Sequence, residues 1–261
     1  MNISDLLSIA KEAALDAGYL LAEKKNSFKK ISSEVGRDIK LELDLETEIL
    51  IKNHLEKTKI NILGEETGLD TLNDDDLTWV IDPLDGTSNY FRDLPACCVS
   101  IALIGKDEGH LGVIYDFNED DLYYASKGNG AFKNDEKISV SNIASKEKAS
   151  LTTGIPFSKD IEMTQDYIEF LRPWKKVRMF GSAALSCAYV SSGKCDYYHE
   201  KGVFLWDFAA GISLVKEAGG SVNFSKIDEN RYEVHITNNK LWKLQLLQIK
   251  NQDTWVNALG F

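Results

Sequence analysis

The stretch WVIDPLDGTSNY, Trp79 to Tyr90, decides how this chain is read. Three β-favouring residues, Trp79, Val80 and Ile81, run into Asp82, and after Pro83 and Leu84 comes a second acid, Asp85, then Gly86 and Thr87. Acids belong in turns, and Asp-Pro and Asp-Gly are turn dipeptides, so this pair alone has a sufficient explanation in backbone chemistry. Two further acidic stations change the weighing. Glu65-Glu66 follows the apolar run Ile60 to Leu63 and Gly64, and Asp207 follows Trp206 at the opening of a helical stretch, where a helix N-cap is the simpler reading.

If strand ends bring Glu65, Asp82, Asp85 and Asp207 together, several negative charges within a few ångströms repel, and protonation or a bound cation must relieve them. Oxygen-only ligands select hard cations, Mg²⁺ first, and Mg²⁺ is usually shared between few carboxylates, waters and substrate phosphate oxygens. Asp82 and Asp85 are close enough for one to bridge two cations while the other binds one. Pro83 stiffens the turn, Gly86 allows close approach of a ligand, and Gly86 with Thr87 offers N–H groups and a hydroxyl to a phosphate if a helix starts there. Two divalent ions beside an anionic ester point to phosphoester hydrolysis.

Outward from this stretch the chain alternates. Apolar residues from Ser4 to about Lys25 recur at helical spacing, with Ser4 placed to cap the first turn, and a second helical pattern runs from about Asp44 to Lys57. Between Cys97 and Val140 short apolar runs separated by Gly, Asn and Asp turns predict an antiparallel meander. After Ser150 strand-like and helical segments alternate: SLTTG, a helix near Asp160 to Leu171, KVRMFG, SAALSCAYVSSG, CDYYHE, and a helix from Trp206-Asp207 to Gly219-Gly220. Val222 to Phe261 reads as two strands and a final helix. The alternation predicts layered α/β structure in two lobes, 1–145 and 146–261, packed as one unit.

Composition is globular, with 43% hydrophobic and 27% charged residues over 261. With 41 acids against 30 bases the formal charge is −11, which disfavours a nucleic-acid polymer or an anionic membrane as partner. No apolar run approaches a membrane span and the N-terminus lacks an export pattern, so the chain reads as soluble and cytoplasmic. Cys97, Cys98, Cys187 and Cys195 form no CxxC pair and read as buried free thiols. His54, His110, His199 and His235 show neither HxxxH nor HExxH spacing, which gives a zinc site little support.

GEE at Gly64 to Glu66, WVIDPLDGTSNY, WDFAAG at Trp206 to Gly211 and EAGG at Glu217 to Gly220 together resemble the inositol monophosphatase family of Mg²⁺-dependent, lithium-sensitive phosphatases. Order and spacing match over roughly residues 5 to 240. The resemblance implies an αβαβα sandwich of the inositol monophosphatase and fructose-1,6-bisphosphatase type, usually a homodimer, acting on a small phosphorylated metabolite with two or three Mg²⁺ ions. In family terms Glu65, Asp82 and the Leu84 carbonyl hold the first ion, Asp82, Asp85 and Asp207 the second, and a weaker third lies near Glu65. Thr87 and Asp44 match the pair that orients and activates the attacking water, with Glu65 beside them. Gly86 and Thr87 match the phosphate contacts, and Gly181, Ser182, Ala183 and Glu200 the polyol contacts, although Gly181-Ser182 reads equally well as a helix cap.

The chain departs from the family in GRDIKLELD, Gly36 to Asp44, where a lysine, an aspartate and then a valine-threonine pair are usual. The weaker metal site and substrate preference both hang on that loop. DGTSNY and the spacing of Glu200 favour a polyol monophosphate over the sister branch that hydrolyses 3′-phosphoadenosine 5′-phosphate. A different class of role, binding a protein partner with residual phosphatase activity, is implied by bacterial members that work with transcription machinery. A structural cation site without chemistry is the third alternative.

Overall fold

In a computed structural model of the chain, Trp79 and Ile81 point to one face of an eight-stranded sheet and Val80 to the other, as strand alternation requires. The structure describes residues 1–35, 38–70, 77–106, 108–155 and 161–241. Gly36, Arg37, Asp160 and the helix expected toward Phe261 lie outside the described residues.

The first half comprises α1 (Ile3–Lys24), the hairpin β1 (Ile31–Val35) and β2 (Asp38–Leu41), α2 (Glu42–Leu55), β3 (Asn61–Gly64), β4 (Gly68–Asp70), β5 (Thr78–Asp85) and the short α3 (Thr87–Phe91). The expected meander follows as β6 (Cys98–Ile104), β7 (Gly109–Asp116), β8 (Asp121–Ser126), β9 (Gly130–Lys133) and β10 (Glu136–Lys137). Then come β11 (Ser150–Thr153), α4 (Ile161–Leu171), β12 (Lys176–Arg178), α5 (Ala183–Ser191), β13 (Tyr197–Val203), α6 (Leu205–Glu217), β14 (Gly220–Lys226) and β15 (Tyr232–Asn238).

The large sheet runs β10-β9-β8-β7-β6-β5-β3-β4, antiparallel except for the parallel pair β3 and β5. The second sheet runs β12-β11-β13-β15-β14, with β11 parallel to both neighbours. Helices α1 and α2 cover one face of the large sheet, their Ala13, Ala17, Leu21 and Ile51 packing with Trp79, Ile81 and Val99. On its other face α5 and α6 pack with Val80, Cys98 and Ile114, and the same helices reach Tyr198, Val234 and Ile236 of the second sheet. The far face of the second sheet packs Leu151 and Tyr197 with Trp174 and with Phe170 and Leu171 of α4. The layers are therefore αβαβα.

Helix α6 explains how the two sheets share one core. Phe208 through Val215 are buried on every side, the pattern of a helix enclosed between two sheets rather than laid on a surface. Each fully buried large aliphatic side chain here contributes about 1.5–3 kcal/mol relative to exposure. Cys97 belongs to the core beneath α1 and Cys98 to the core beneath α6, and all four cysteines are free and buried. One local expectation changes: Asn2, not Ser4, caps α1. Its Oδ1 accepts the Asp5 N–H at 2.9 Å while Asp5 Oδ2 accepts the Asn2 N–H at 3.3 Å, a reciprocal box that Ser4, inside the helix, cannot form.

Candidate active site

The strand does not end at Asp82. β5 continues through Asp85 with an irregularity: Asp82 stands opposite Ser100 and Asp85 opposite Cys98, so three steps on β5 match two on β6. In regular pleating, residues three apart face opposite ways. The one extra residue of this bulge restores the phase and turns both carboxylates toward α5 and α6. Asp82 Oδ1 accepts the Leu84 N–H at 3.0 Å, which fixes the turn, and the Thr87 hydroxyl donates to the Leu84 carbonyl at 2.9 Å. Gly86, at φ 91°, begins α3; a side chain there would be strained and its Cβ would sit 2.7 Å from the Ala96 carbonyl oxygen.

Two other elements bring their acids to the bulge. Glu65 directly follows β3, the parallel neighbour of β5, and its N–H donates to the Ile81 carbonyl at 3.2 Å. Asp207 lies in the first turn of α6, its Oδ2 accepting the Phe204 N–H at 2.8 Å. Asp85 is held most tightly. It accepts from the Ser182 hydroxyl, from the Ala184 N–H at 2.7 Å and from the Ala183 N–H at 3.4 Å, and so sits at the N-terminus of α5.

The electrostatics tie the four acids to one another. Burial pushes the Asp82 carboxyl well above its ordinary range, and the charges of Glu65, Asp85 and Asp207 add to it. Burial likewise raises Asp207, with Asp85 the largest repelling neighbour. Glu65 rises to about 7 through burial, with Lys40 pulling down and Glu66 pushing up, and Asp85 rises to about 6, burial outweighing the three donors from α5. Asp44, in α2, rises to about 8, chiefly through burial. Its Oδ2 accepts the Leu41 N–H at 2.7 Å, while its buried Oδ1 has no hydrogen-bond partner among the described residues. Asp44 and Thr87 are not hydrogen-bonded to each other among the described contacts.

Four carboxylates in repulsion, an acceptor-only donor set and an orphaned buried oxygen fit a hard divalent cation. Among the described residues, the ammonium that reaches this cluster is Lys40, 2.9 Å from Glu66 Oε1 and 3.6 Å from Glu65 Oε1. Asp82, Asp85, Asp207 and Glu65 are thus brought together, with Leu84, Gly86 and Thr87 on the same turn.

The other expected contacts are arranged around them. Ser182 is the N-cap of α5, its oxygen accepting the Leu185 N–H at 3.2 Å, so the helix-cap reading of this segment describes its side chain. Gly181 at φ 70° is tied to α3 through Asn89, whose Nδ2 donates to the carbonyls of Ala96 and Phe180 at 2.7 Å. Glu200 accepts from the Tyr198 hydroxyl at 3.1 Å and contributes to the shift on Asp207, which places it on the acidic side of β13.

Sequence reasoning missed Glu48. This carboxylate is wholly buried in α2, accepts the N–H groups of Glu66 (2.7 Å) and Thr67 (3.1 Å) and the Thr67 hydroxyl, and pairs with Lys52 at 3.4 Å. It positions the loop that carries Glu65. Gly64 is required beside it, since a Cβ there would lie 2.4 Å from Glu48 Oε1. Its sequence signal was faint: an acid four residues before a lysine on a helix usually marks a solvated pair.

The family model of the inositol monophosphatase family matches residues 2–251. The chain belongs to this family. Its relatives carry different names. A Pasteurella multocida protein called Nus factor SuhB is 36% identical over 230 residues, covering 84% of this chain and 85% of that one. A Thermotoga maritima fructose-1,6-bisphosphatase/inositol-1-monophosphatase is 35% identical over 235 residues, 88% of this chain and 86% of its own length. The solved structure of an Anabaena inositol monophosphatase superposes with a TM-score of 0.81 at 32% identity, covering 96% of this chain and 98% of that one. Membership in the inositol monophosphatase family supports metal-dependent phosphatase chemistry on a small phosphorylated molecule. Among the described residues no helix is long and apolar enough to cross a membrane.

Proposed function

We propose that this chain is a Mg²⁺-dependent phosphomonoesterase that hydrolyses inositol monophosphate or a related small sugar or polyol phosphate, and does so as a homodimer. The observation that carries the reading is the convergence of Glu65, Asp82, Asp85 and Asp207 from three elements onto one bulge, all four carboxyls pushed upward by burial and those of Asp82, Asp207 and Glu65 also by neighbouring acids. Glu65, Asp82 and the Leu84 carbonyl would hold one ion and Asp82, Asp85 and Asp207 another, and Glu65 would take part in a weaker third, as the family pattern implies. Bound there, divalent ions make water nucleophilic at neutral pH and stabilise the leaving oxygen. Thr87, whose hydroxyl now rests on the Leu84 carbonyl, positions the attacking water, and Asp44 supplies an acceptor oxygen for its proton. Gly86 and Thr87 present N–H groups to phosphate oxygens. Because the Ser182 hydroxyl and the Ala183 N–H are spent on Asp85, Glu200 carries most of the polyol recognition in the 181–183 and 200 set.

The test is turnover on a panel of phosphorylated metabolites with Mg²⁺, with and without Li⁺, including inositol 1-phosphate, fructose 1,6-bisphosphate and 3′-phosphoadenosine 5′-phosphate. The expected result is lithium-sensitive release of phosphate, fastest from a polyol monophosphate. A large preference for the nucleotide would move the chain to the bisphosphate nucleotidase branch. The name Nus factor on a 36% identical relative favours one second reading, a partner-binding protein with residual phosphatase activity. Tight macromolecular binding with no hydrolysis across the panel would establish that reading instead.

A further inference from the structure

Two of the four histidines that looked scattered in sequence come together in the fold. β13 and β15 pair antiparallel in a register that sets His199 directly opposite His235, and Glu233, two residues before His235, points to the same face of the sheet. His199 and Glu200 are adjacent on β13 and therefore face opposite ways. The acidic centre lies on the α5 and α6 side, and the histidine cluster lies on the outer face, beside Phe170 of α4.

One ligand atom from each of His199, Glu233 and His235 lies within 4.8 Å of the other two. Both imidazole Nε2 atoms converge on one carboxylate oxygen, Glu233 Oε1, at 3.0 Å from His199 and 3.7 Å from His235. With zinc–ligand bonds of about 2.0–2.1 Å, tetrahedral geometry sets ligand atoms about 3.3 Å apart, and the two observed separations bracket that edge. The rings are fixed. They stack at 4.5 Å between centroids and 24° between planes, and Phe170 packs edge-on against His199 at 4.9 Å. His235 Nδ1 is hydrogen-bonded to the Tyr197 hydroxyl at 2.8 Å, the outer-shell contact that orients a metal-binding imidazole through its other nitrogen. Lys201 approaches the second oxygen of Glu233, Oε2, at 3.8 Å and leaves Oε1 to the imidazoles.

From this geometry we infer that His199, Glu233 and His235 form a second metal site, separate from the acidic centre, which takes a zinc-class transition-metal ion rather than Mg²⁺. Two imidazoles and one carboxylate suit first-row transition metals such as Zn²⁺, Cu²⁺ or Ni²⁺, whereas the all-oxygen centre on the other side of the sheet suits hard cations. His199 and Glu233 are also linked by a plain hydrogen bond, and a charge-neutral His–Glu array is the competing account. The two differ in what a nitrogen-sensitive probe would see.

The experiment uses the full chain, stripped with a chelator and then saturated with Mg²⁺ to fill the acidic centre, before one equivalent of Cu²⁺ or Zn²⁺ is added. Electron paramagnetic resonance of the Cu²⁺ form should show splitting from two imidazole nitrogens, and about one equivalent of Zn²⁺ should survive gel filtration, as expected for three protein ligands. His235→Ala should abolish the two-nitrogen pattern and weaken Zn²⁺ retention at least tenfold. Glu233→Gln, which keeps the side-chain shape, should weaken retention without depending on the loss of a ring from the sheet. Mg²⁺-dependent phosphatase activity should stay within about twofold of wild type in both. A wild-type spectrum without nitrogen splitting, a spectrum unchanged in His235→Ala, or Zn²⁺ retention that disappears in Asp82→Asn but persists in Glu233→Gln would each overturn the site.

Discussion

Two sets of buried acids lie within one loop of each other and are treated oppositely by the fold. Glu48 is fully buried, yet two N–H groups, a hydroxyl and the Lys52 ammonium compensate its charge. Glu65, Asp82, Asp85 and Asp207 are all raised by burial, the charges of the other three raise Asp82 further, and Asp82 is offered little but the Leu84 N–H. Burial is common to both sets, so burial does not mark function. The mark is the deficit of positive partners, which a folded chain tolerates only where something outside the chain supplies the charge.

The sharpest way to break this contrast is to neutralise one acid from each set. Asp82→Asn should cut phosphatase activity by about 10³-fold or more, about 4 kcal/mol of transition-state stabilisation. The same change should leave the metal-free protein as stable as wild type or more so, because it removes a repelled buried charge. Calorimetry in EDTA checks the second half, and a large loss of metal-free stability would erase the distinction. Glu48→Ala should behave in reverse. It orphans two N–H groups and breaks a buried ion pair, for a loss of about 3 kcal/mol in denaturant titration that Mg²⁺ does not restore.

A pH series sharpens the same contrast without mutation. Asp44, Asp85 and Glu65 rise from 3.8 to about 8, from 3.8 to about 6 and from 4.5 to about 7 in the folded chain. Between the unfolded and folded values the folded state binds more protons, so its stability falls as pH rises. In EDTA the melting temperature should therefore decline from about pH 4 toward pH 8. Mg²⁺ competes with those protons, so it should flatten the decline, and its binding should release protons and tighten with pH. A metal-free melting temperature that climbs over that window would contradict the upward shift of these buried carboxyls.

The sequence made some of this plain and concealed the rest, for physical reasons. The meander from Cys97 and the layered alternation after Ser150 were visible because each strand and helix has its own apolar period and Gly or Asn punctuation. The β1–β2 hairpin was missed: ISSEV and DIKL carry little apolar alternation, and both strands are short. That Asp82 and Asp85 share a face depends on the register of β5 against β6, which the spacing of the acids alone contradicts. The Ser182 hydroxyl, which reads in sequence as either a polyol contact or a helix cap, donates to Asp85, a partner 97 positions away that only the fold reveals. His199 and His235 are 36 positions apart, and only strand pairing brings them face to face. The local cue was Glu233-Val234-His235, two polar residues on one face of a strand.

The smallest expected effect concerns Lys40, in the segment that departs from the family pattern. Burial draws its pKa down, but the hydrogen bond to Glu66 and the charge of Glu65 more than offset this, so the ammonium is held beside the acids. A fixed monovalent charge there does part of the work of a divalent ion, and it must be displaced or accommodated when one binds at Glu65. Its side chain is about a third exposed, so solvent screens the interaction to about 1 kcal/mol. Lys40→Met keeps the aliphatic stem and removes the charge. The Mg²⁺ concentration for half-maximal activity should then fall by about fivefold, the equivalent of that energy. If it rises instead, Lys40 positions Glu65 for the metal rather than competing with it, and the deficit of positive charge at this centre is smaller than the comparison with Glu48 requires.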